Sequence, residues 1–245
     1  MTVLITGGTK GIGLAIAAWL ATPGDPIVLN YHSDDAAAAE AKARIEAAGT
    51  ACTTVRADVG TIEGCAHLIA ETTKVHSGVL HIVHSAAAIY PTTLLGADLE
   101  KFTRAVHTNG LSLLYLVQKA LPLLARGSSI VFISSNGART VVSNTYGALG
   151  AGKALAEGII RYLVPELAPR GIRINAVAPG LVHTTSVATM VGSAEGAAKL
   201  VERAGRANPS GRETRDSDYA SLVKYLLGPE AEFVQGQVIA ATGGA

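Results

Sequence analysis

Short apolar runs alternate with longer segments of helical pattern along the whole chain. The runs are continuous and do not alternate with polar residues, which indicates strands buried on both faces of a parallel sheet. Strands are predicted at Thr2–Ile5, Pro26–Asn30, Thr53–Ala57, Leu80–His84, Ser129–Ile133, Arg173–Ala178 and Gln237–Ala241. Helices are predicted between them at Gly11–Ala21, Asp35–Ala48, Thr61–His76, Leu99–Ala125, Asn144–Ala168 and Asp216–Leu227.

This alternation predicts an α/β fold with one doubly wound, Rossmann-type domain over residues 1–245. Its parallel seven-stranded sheet would have helices on both faces and would bind ligands outside the carboxyl ends of the strands. Residues 181–216 fit the pattern poorly, because they are small and polar. A loop of this length inside a compact domain is usually functional. We expect a substrate lid there, with an irregular helical excursion without function as the alternative.

Composition limits the class of protein further. The 245 residues are 49% hydrophobic and 16% charged, with a formal net charge of +1 and a mean hydropathy of +0.33. No stretch approaches the roughly 18–20 uninterrupted apolar residues of a spanning helix, so no membrane partner is expected. Lysines and arginines are scattered without a basic run, so no nucleic-acid partner is expected either.

The cysteines and the first residues bear on metal binding and location. Cys52 and Cys65 match no metal or redox spacing, which predicts no metal site and is typical of small apolar residues in a reducing compartment. Residues 1–5 contain no basic segment and run directly into a glycine motif, so they predict a strand and not a signal peptide. A cytoplasmic protein is expected.

A glycine-rich segment, Thr6-Gly-Gly-Thr-Lys-Gly-Ile-Gly13, joins the first predicted strand to the first helix. Gly7 allows a tight turn, Gly11 lets the backbone approach a pyrophosphate, and Gly13 lets helix and strand pack closely. The helix N-terminus presents free N–H groups and a positive dipole end to the phosphates. The segment predicts a nucleotide site, with a plain turn as the alternative.

The end of the second strand indicates which nucleotide to expect. NAD sites usually have an acidic residue there, but residues 29–33 read Leu-Asn-Tyr-His-Ser, with no carboxylate before Asp34. Lys10 lies in the glycine loop, where its ammonium can reach a 2′-phosphate, so NADPH is favoured over NADH. The expected contacts from this strand are Asn30, Tyr31, His32 and Ser33. Asp58, after the third strand, is suited to the adenine amino group or is a solvated turn residue.

Further motifs follow in order: Asp58-Val59, Asn109, Ile133-Ser-Ser135, Lys153, Pro179-Gly180 with Thr184, Gly236-Gln237 and Gly243-Gly244. With the glycine loop, they resemble the short-chain dehydrogenase/reductase family over essentially the full length. The resemblance implies a homotetramer with the central helices and the last strand at its interfaces. It also implies cofactor contacts at Thr9, Ile12, Val59, Ser85, Ala86, Lys153, Pro179, Gly180, Val182 and Thr184.

The tyrosine departs from the usual family pattern. Most members resemble Tyr-x-x-x-Lys, but the residue four before Lys153 is Leu149, and the nearest phenol is Tyr146. A seven-residue helical step turns about 700° and rises roughly 10.5 Å, so Tyr146 shares a face with Lys153 but lies about one turn outward. This spacing resembles the enoyl-acyl-carrier-protein reductase branch, in its NADPH-dependent type with the ordinary short glycine loop.

Other candidate residues keep open alternatives. Residues 84–87 read His-Ser-Ala-Ala where most relatives have Asn-Asn-Ala-Gly, which again resembles enoyl reductases, although His84 alone reads as a satisfied loop histidine. Asn109 either holds the active-site helix and relays water or satisfies a buried carbonyl. Ser135 occupies the position of the ketoreductase serine, but the short segment to Tyr146 predicts that the ketoreductase geometry is not preserved. For Tyr146 the alternative is a packing tyrosine.

The expected catalytic residues are therefore Tyr146, Lys153, Ser135 and Asn109. In the hypothesis that results, NADPH delivers hydride to the β-carbon of an α,β-unsaturated acyl thioester, small or carrier-bound. Tyr146 stabilises or protonates the thioester oxygen, and Lys153 binds the ribose and lowers the phenol pKa. One alternative is a carbonyl reductase of a small secondary metabolite or a 3-oxoacyl group. The other, suggested by departures such as Leu149 and Ala87, is a non-catalytic NADPH-binding protein.

Overall fold

The computed structural model describes residues 1–245 and contains one seven-stranded sheet in which all neighbouring strands are parallel. The strands are β1 (Thr2–Thr6), β2 (Ile27–Tyr31), β3 (Cys52–Arg56), β4 (Leu80–His84), β5 (Ser129–Ile133), β6 (Arg173–Pro179) and β7 (Val238–Ala241). Their order in the sheet is β3-β2-β1-β4-β5-β6-β7. The predicted α/β fold is confirmed.

Nine α-helices connect and cover the strands. They are α1 (Gly11–Leu20), α2 (Asp35–Ala47), α3 (Ile62–Val75), α4 (Leu99–Val106), α5 (Ser112–Ala120), α6 (Gly147–Leu167), α7 (Thr185–Val191), α8 (Ala194–Ala207) and α9 (Asp216–Leu227). None of these helices is both long enough and apolar enough to cross a membrane.

Both faces of the five central strands are buried, as the continuous apolar runs predict, whereas the edge strands β3 and β7 are partly exposed. Alternate side chains of one strand enter different cores: Leu4 packs in one apolar cluster, whereas Val3 and Ile5 pack in the other. Helices α3, α5 and α6 supply the first cluster, and α1, α2 and α9 supply the second. A strand that is buried on both faces has no polar positions to spare, which explains the unbroken apolar pattern.

The single helix predicted at Leu99–Ala125 is wrong in two respects. A turn of π-helix, His107–Leu111, separates α4 from α5. Gly110 allows this turn to lie against α6, because a Cβ there would be 2.7 Å from the Gly152 carbonyl oxygen. Helix α5 then ends at Ala120, two residues before Pro122, which has no N–H to continue the helical hydrogen bonds.

The segment at residues 181–216 is more regular than its composition predicts, because it contains α7 and α8. Each helix begins with a side-chain cap: the hydroxyl of Thr184 accepts from the Val187 amide, and that of Ser193 accepts from the Gly196 amide. The form is thus a helical excursion. Its role as a substrate lid stays a prediction, although α7 lines the cleft described next.

Candidate active site

A cleft of about 350 Å³ opens at the carboxyl ends of the strands. It lies where the strand order reverses between β1 and β4, which is the usual ligand position in doubly wound sheets. The predicted site residues that line it are Gly7, Thr9, Lys10, Gly11, Ile12, Gly13, Tyr31, His32, Ser33, Ser85, Ser135, Tyr146, Lys153, Pro179, Gly180, Val182 and Thr184. An adjoining cavity of about 470 Å³ is lined by the predicted residues Asn30, Asp58, Val59 and Ala86.

The glycine loop forms a bare backbone wall of this cleft. Gly7 and Gly11 have φ angles of +59° and +50°, in the left-handed region that favours glycine. A Cβ on Gly7 would lie 2.9 Å from the Ala86 Cα, so the loop and the end of β4 are too close for a side chain. No side chain caps α1 at Lys10, which leaves its first N–H groups free for an anion. These features fit the pyrophosphate of a dinucleotide.

Asn30 at the end of β2 ties the glycine loop to the next strand. Its Nδ2 donates to the Ala57 carbonyl oxygen at 2.9 Å, and its Oδ1 accepts from the Gly7 amide at 3.4 Å. The side chain is buried, at 2% exposure. Asn30 therefore holds the loop in its conformation and reaches the cofactor site mainly through Gly7.

Charged side chains gather at the outer end of the cleft, near residues 31–34. The Lys10 ammonium forms an ion pair with the carboxylate of Asp34, which also caps α2 by accepting from the Ala37 amide at 3.0 Å. These hydrogen bonds hold the pKa of the Asp34 carboxyl below its usual range. His32 Nε2 lies 4.0 Å from an Asp58 carboxylate oxygen. The sequence-based prediction considered Lys10 without a partner. In the structure, the Asp34 carboxylate binds the Lys10 ammonium and would compete with a 2′-phosphate for it.

Ser135 and Tyr146 lie side by side although only a short segment joins them, and the expectation that the full ketoreductase geometry is not preserved stays a prediction. The Ser135 Oγ is 2.9 Å from the Tyr146 hydroxyl oxygen. The reason is that Tyr146 immediately precedes α6, and the segment from β5 folds back so that the Gly137 amide donates to Ser135 Oγ at 3.1 Å. Burial raises the pKa of the phenol, and its hydrogen bond with Ser135 lowers it.

Lys153 lies in an unusual environment on α6. Its side chain is only 4% exposed, and Nζ donates to the Ile133 carbonyl oxygen at 2.7 Å and lies 4.3 Å from the centre of the Phe132 ring. Burial lowers the pKa of its ammonium to about 7. Leu149, in the position where most relatives have their tyrosine, lines the same cleft and is 7% exposed.

The structure does not place Asn109 in the cleft. Its Oδ1 accepts from the Ala88 amide at 2.9 Å, and its Nδ2 donates to the Ala88 carbonyl oxygen at 2.8 Å. Both polar atoms of this fully buried side chain therefore bind the loop after β4. Asn109 therefore positions this loop against the π-helical turn, and a catalytic role for it stays a prediction.

His84 at the end of β4 is also fully buried and satisfied. Thr6 Oγ1 accepts from the Ser85 amide at 3.1 Å, so it donates its own proton to His84 Nδ1 at 2.5 Å. The Nε2–H then donates to the Ser112 Oγ at 2.7 Å. Burial lowers the pKa of the imidazole to about 3, which keeps the ring neutral. Both ring nitrogens of His84 therefore have hydrogen-bond partners, as the sequence interpretation expected. These hydrogen bonds join β1, β4 and α5.

Sequence reasoning missed several residues that line the cleft. Ile89 supplies apolar surface to the cleft, and so does Leu149, which the sequence singled out only as the place of the absent tyrosine. Asp34 supplies the partner of Lys10. Ser186 and Val187 reach the cleft from α7. Asp34 had a signal, since Asp-Asp before an alanine-rich helix is a typical capping sequence. The apolar residues had none, because nothing local distinguishes them from core.

A bare glycine turn at a helix N-terminus, combined with a paired serine and tyrosine and a buried lysine, defines oxidoreductases that use a dinucleotide cofactor. Residues 7–245 match the family model described as "Enoyl-(Acyl carrier protein) reductase". The 1-cyclohexenylcarbonyl-CoA reductase of Streptomyces collinus is 32% identical over 241 residues, which cover 98% of this chain and 85% of that protein. The NADPH-dependent aldehyde reductase 2 of Arabidopsis thaliana is 30% identical over 256 residues, covering 98% and 92%.

Solved structures agree with these relatives. A short-chain dehydrogenase from Burkholderia cenocepacia J2315, in complex with NADP, has a TM-score of 0.87 at 28% identity, covering 99% of this chain and 96% of that one. The chain belongs to the short-chain dehydrogenase/reductase family. It is an oxidoreductase of the family type that binds a nicotinamide cofactor.

Proposed function

We propose that the protein uses NADPH to reduce the C=C bond of an α,β-unsaturated acyl thioester. The observation that carries the proposal is the place of its proton donor. Tyr146 precedes α6, and Leu149 takes the helical position of the usual tyrosine. A phenol further from Lys153 suits an oxygen beyond the carbon that accepts hydride, as in a conjugated thioester. The match to the enoyl reductase model and the similarity to an acyl-CoA reductase support this assignment.

The cleft would hold the cofactor from the glycine loop inward. Backbone N–H groups at the start of α1 would bind the pyrophosphate, and Lys153 would bind the nicotinamide ribose. The preference for NADPH rests on Lys10, His32 and Ser33, which line the outer end where a 2′-phosphate would lie. The Lys10–Asp34 ion pair would open so that the ammonium could bind the phosphate. A relative named as NADPH-dependent and a structure with NADP support this preference.

The reduced nicotinamide, when bound, supplies the hydride that reaches the β-carbon of the substrate. Negative charge then develops on the thioester oxygen, and the Tyr146 hydroxyl donates a hydrogen bond to that oxygen. A proton from water then adds to the α-carbon, which completes the saturated thioester. Ser135, 2.9 Å from the phenol, orients it and stabilises its ionised form. With the cofactor bound, the charge of a protonated Lys153 would lower the phenol pKa. Burial lowers the pKa of Lys153 to about 7. The protonated fraction of Lys153 therefore changes with pH near neutrality.

The test uses a crotonyl thioester and an acetoacetyl thioester, each with NADPH and with NADH, and products identified by mass spectrometry. We expect the saturated acyl product and faster oxidation of NADPH than of NADH. Tyr146→Phe should lower kcat by about 10²-fold or more. The matched control is Tyr225→Phe, which alters a half-exposed phenol on α9. A folded, cofactor-binding protein that reduces only the ketone would refute the proposal.

The double variant Tyr146→Phe, Leu149→Tyr tests whether the register of the tyrosine selects the reaction. It moves the phenol onto α6, one turn from Lys153. We expect it to lose C=C reduction and to gain C=O reduction relative to wild type. An unchanged product ratio would contradict the register argument.

A carbonyl reductase is the second candidate, and one observation favours it. The Ser135–Tyr146 pair, at 2.9 Å, is the kind of contact by which ketoreductases hold a carbonyl oxygen. Similarity to an aldehyde reductase is consistent with it. The same product analysis separates the two candidates, since an alcohol product supports the second and a saturated thioester the first.

We also propose a homotetramer in the cytoplasm. Tyr162, on the outer face of α6, is 81% exposed, and Leu155 on the same helix is 38% exposed. An apolar helix face of this kind would be covered by another subunit. Light scattering after size-exclusion chromatography measures the mass directly, and a monomer at micromolar concentration would contradict the assignment. Both cysteines are buried and free, in keeping with a reducing compartment.

A further inference from the structure

The ring of Tyr146, at the start of α6, lies against the segment between β5 and α6. Tyr146 is the N-cap residue of α6: its carbonyl oxygen accepts from the Gly150 amide at 2.9 Å, and its own amide donates to the Ser143 carbonyl oxygen at 3.2 Å. A tyrosine at the position of Leu149 would instead be fixed by the helix. The location of the phenol in this chain therefore depends on how residues 134–145 are anchored.

Gly137 forms the surface on which the aromatic ring lies. A Cβ on Gly137 would overlap Tyr146 Cε1 and come within 2.6 Å of Cδ1. On the other side, a Cβ on Gly150 would lie 2.5 Å from the Gly137 carbonyl oxygen. The backbone at Gly137 is thus enclosed between α6 and the ring. Any movement of this backbone moves the ring.

An ion pair anchors both ends of this short stretch to α6. The Glu157 carboxylate, 5% exposed, accepts from Arg139 Nε and Nη2, each at 3.2 Å. It also accepts from the Ser134 hydroxyl at 2.6 Å. Residues 134 and 139 flank Ser135 and Gly137, which both contact the side chain of Tyr146. A buried carboxylate that binds three donors from one segment holds that segment firmly.

We propose that Arg139 and Glu157 are positioning residues for the tyrosine of this enzyme. Their ion pair fixes residues 134–139 against α6, and the fixed segment holds the Tyr146 ring through Gly137 and Ser135. The inference rests on the proposed role of Tyr146 as proton donor. It goes further by assigning a function to a carboxylate and a guanidinium that touch neither substrate nor cofactor.

The first test observes the ring without any substrate. Cofactor-free protein labelled with ¹³Cζ-tyrosine is titrated by NMR, and the Tyr146 signal is identified by its loss in Tyr146→Phe. We expect the pKa of this phenol, raised by burial in wild type, to fall toward the ordinary tyrosine value in Arg139→Met and Glu157→Gln. Arg139→Lys should give an intermediate result, because an ammonium keeps the charge but loses the two-pronged contact.

The second test measures turnover. A displacement of the phenol by about 1 Å costs about 10²-fold in kcat, whereas the KM for NADPH should stay unchanged in Arg139→Met, because the glycine loop is untouched. Gly137→Ala should also lower kcat without changing the KM for NADPH, because its Cβ would collide directly with the Tyr146 ring. The matched control is Lys74→Met, which removes an exposed ion pair with Glu71 on α3 and should leave both kcat and the Tyr146 signal unaltered.

Two results would overturn the proposal. One is a Tyr146 titration that matches wild type in both Arg139→Met and Glu157→Gln. The other is a loss of kcat accompanied by an equal loss of NADPH affinity, which indicates general destabilisation. Failure of the wild type to reduce enoyl thioesters counts against the proposed function only, since the NMR signal reports the ring position whatever the substrate.

Discussion

Replacing Lys153 by methionine should stabilise the cofactor-free protein while it abolishes turnover. The ammonium is 4% exposed, and its nearby partners are the Ile133 carbonyl oxygen and the Phe132 ring, with no carboxylate to balance the charge. Burial therefore lowers the lysine pKa from 10.5 to about 7. Methionine fills a similar volume without a charge.

The magnitude follows from this pKa. Each tenfold change in proton affinity corresponds to about 1.4 kcal/mol, so burial of Lys153 costs the folded protein on the order of 5 kcal/mol at neutral pH. Loss of the hydrogen bond to Ile133 offsets about 1–3 kcal/mol. We expect Lys153→Met to raise the free energy of unfolding by about 2–4 kcal/mol at pH 7.

The effect has a defined pH dependence. Between about pH 7 and 10.5 the unfolded chain carries a proton on Lys153 that the folded chain lacks. The wild type therefore gains stability as the pH rises through this window, by up to about 1.4 kcal/mol per pH unit, and the variant does not. Within this window, the difference in free energy of unfolding between Lys153→Met and wild type is largest at pH 7 and becomes smaller toward pH 10.

Urea unfolding of the cofactor-free proteins, followed by circular dichroism at fixed protein concentration from pH 7 to 9.5, measures this difference. Lys74→Met, which alters an exposed lysine on α3, should remain within about 0.5 kcal/mol of wild type. A Lys153→Met variant less stable than wild type at pH 7, or a difference that does not change with pH, would refute the reasoning.

Three further predictions concern the glycine turn, the paired serine and the buried histidine. Gly13→Ala should abolish NADPH binding, measured by fluorescence titration, because its Cβ would lie 3.0 Å from the Gly7 carbonyl carbon and push the turn off α1. Ser135→Ala should move the basic limb of the kcat–pH profile to higher pH, since the hydrogen bond from Ser135 lowers the Tyr146 pKa and its loss would raise it. His84→Phe should lower Tm most above about pH 7 and progressively less toward pH 5, because burial keeps the folded imidazole neutral, with a pKa lowered from 6.5 to about 3, whereas the unfolded chain binds a proton there as the pH falls.

The strand positions and the glycine turn could be predicted because each depends on neighbours in the sequence. A strand buried on both faces shows an unbroken apolar run, and β1–β7 match their predicted bounds to within about one residue. The turn at Gly7–Gly13 needs small residues at set spacings for the backbone to approach a pyrophosphate. The π-helical turn at His107–Leu111 could not be predicted, because it depends on the contact of Gly110 with α6.

The sequence by itself determined the fold class, the cofactor cleft and the displaced tyrosine, because short-range patterns and the covalent order of residues suffice for each. Only the tertiary structure decided what surrounds the reacting groups. It brings Ser135 to Tyr146, gives Lys10 a competing carboxylate, and binds Asn109 to a loop rather than to the cleft. These contacts join groups far apart in the chain, and their distances follow from how helices pack on the sheet. Burial, which sets the pKa of Lys153, is likewise a property of the packed molecule.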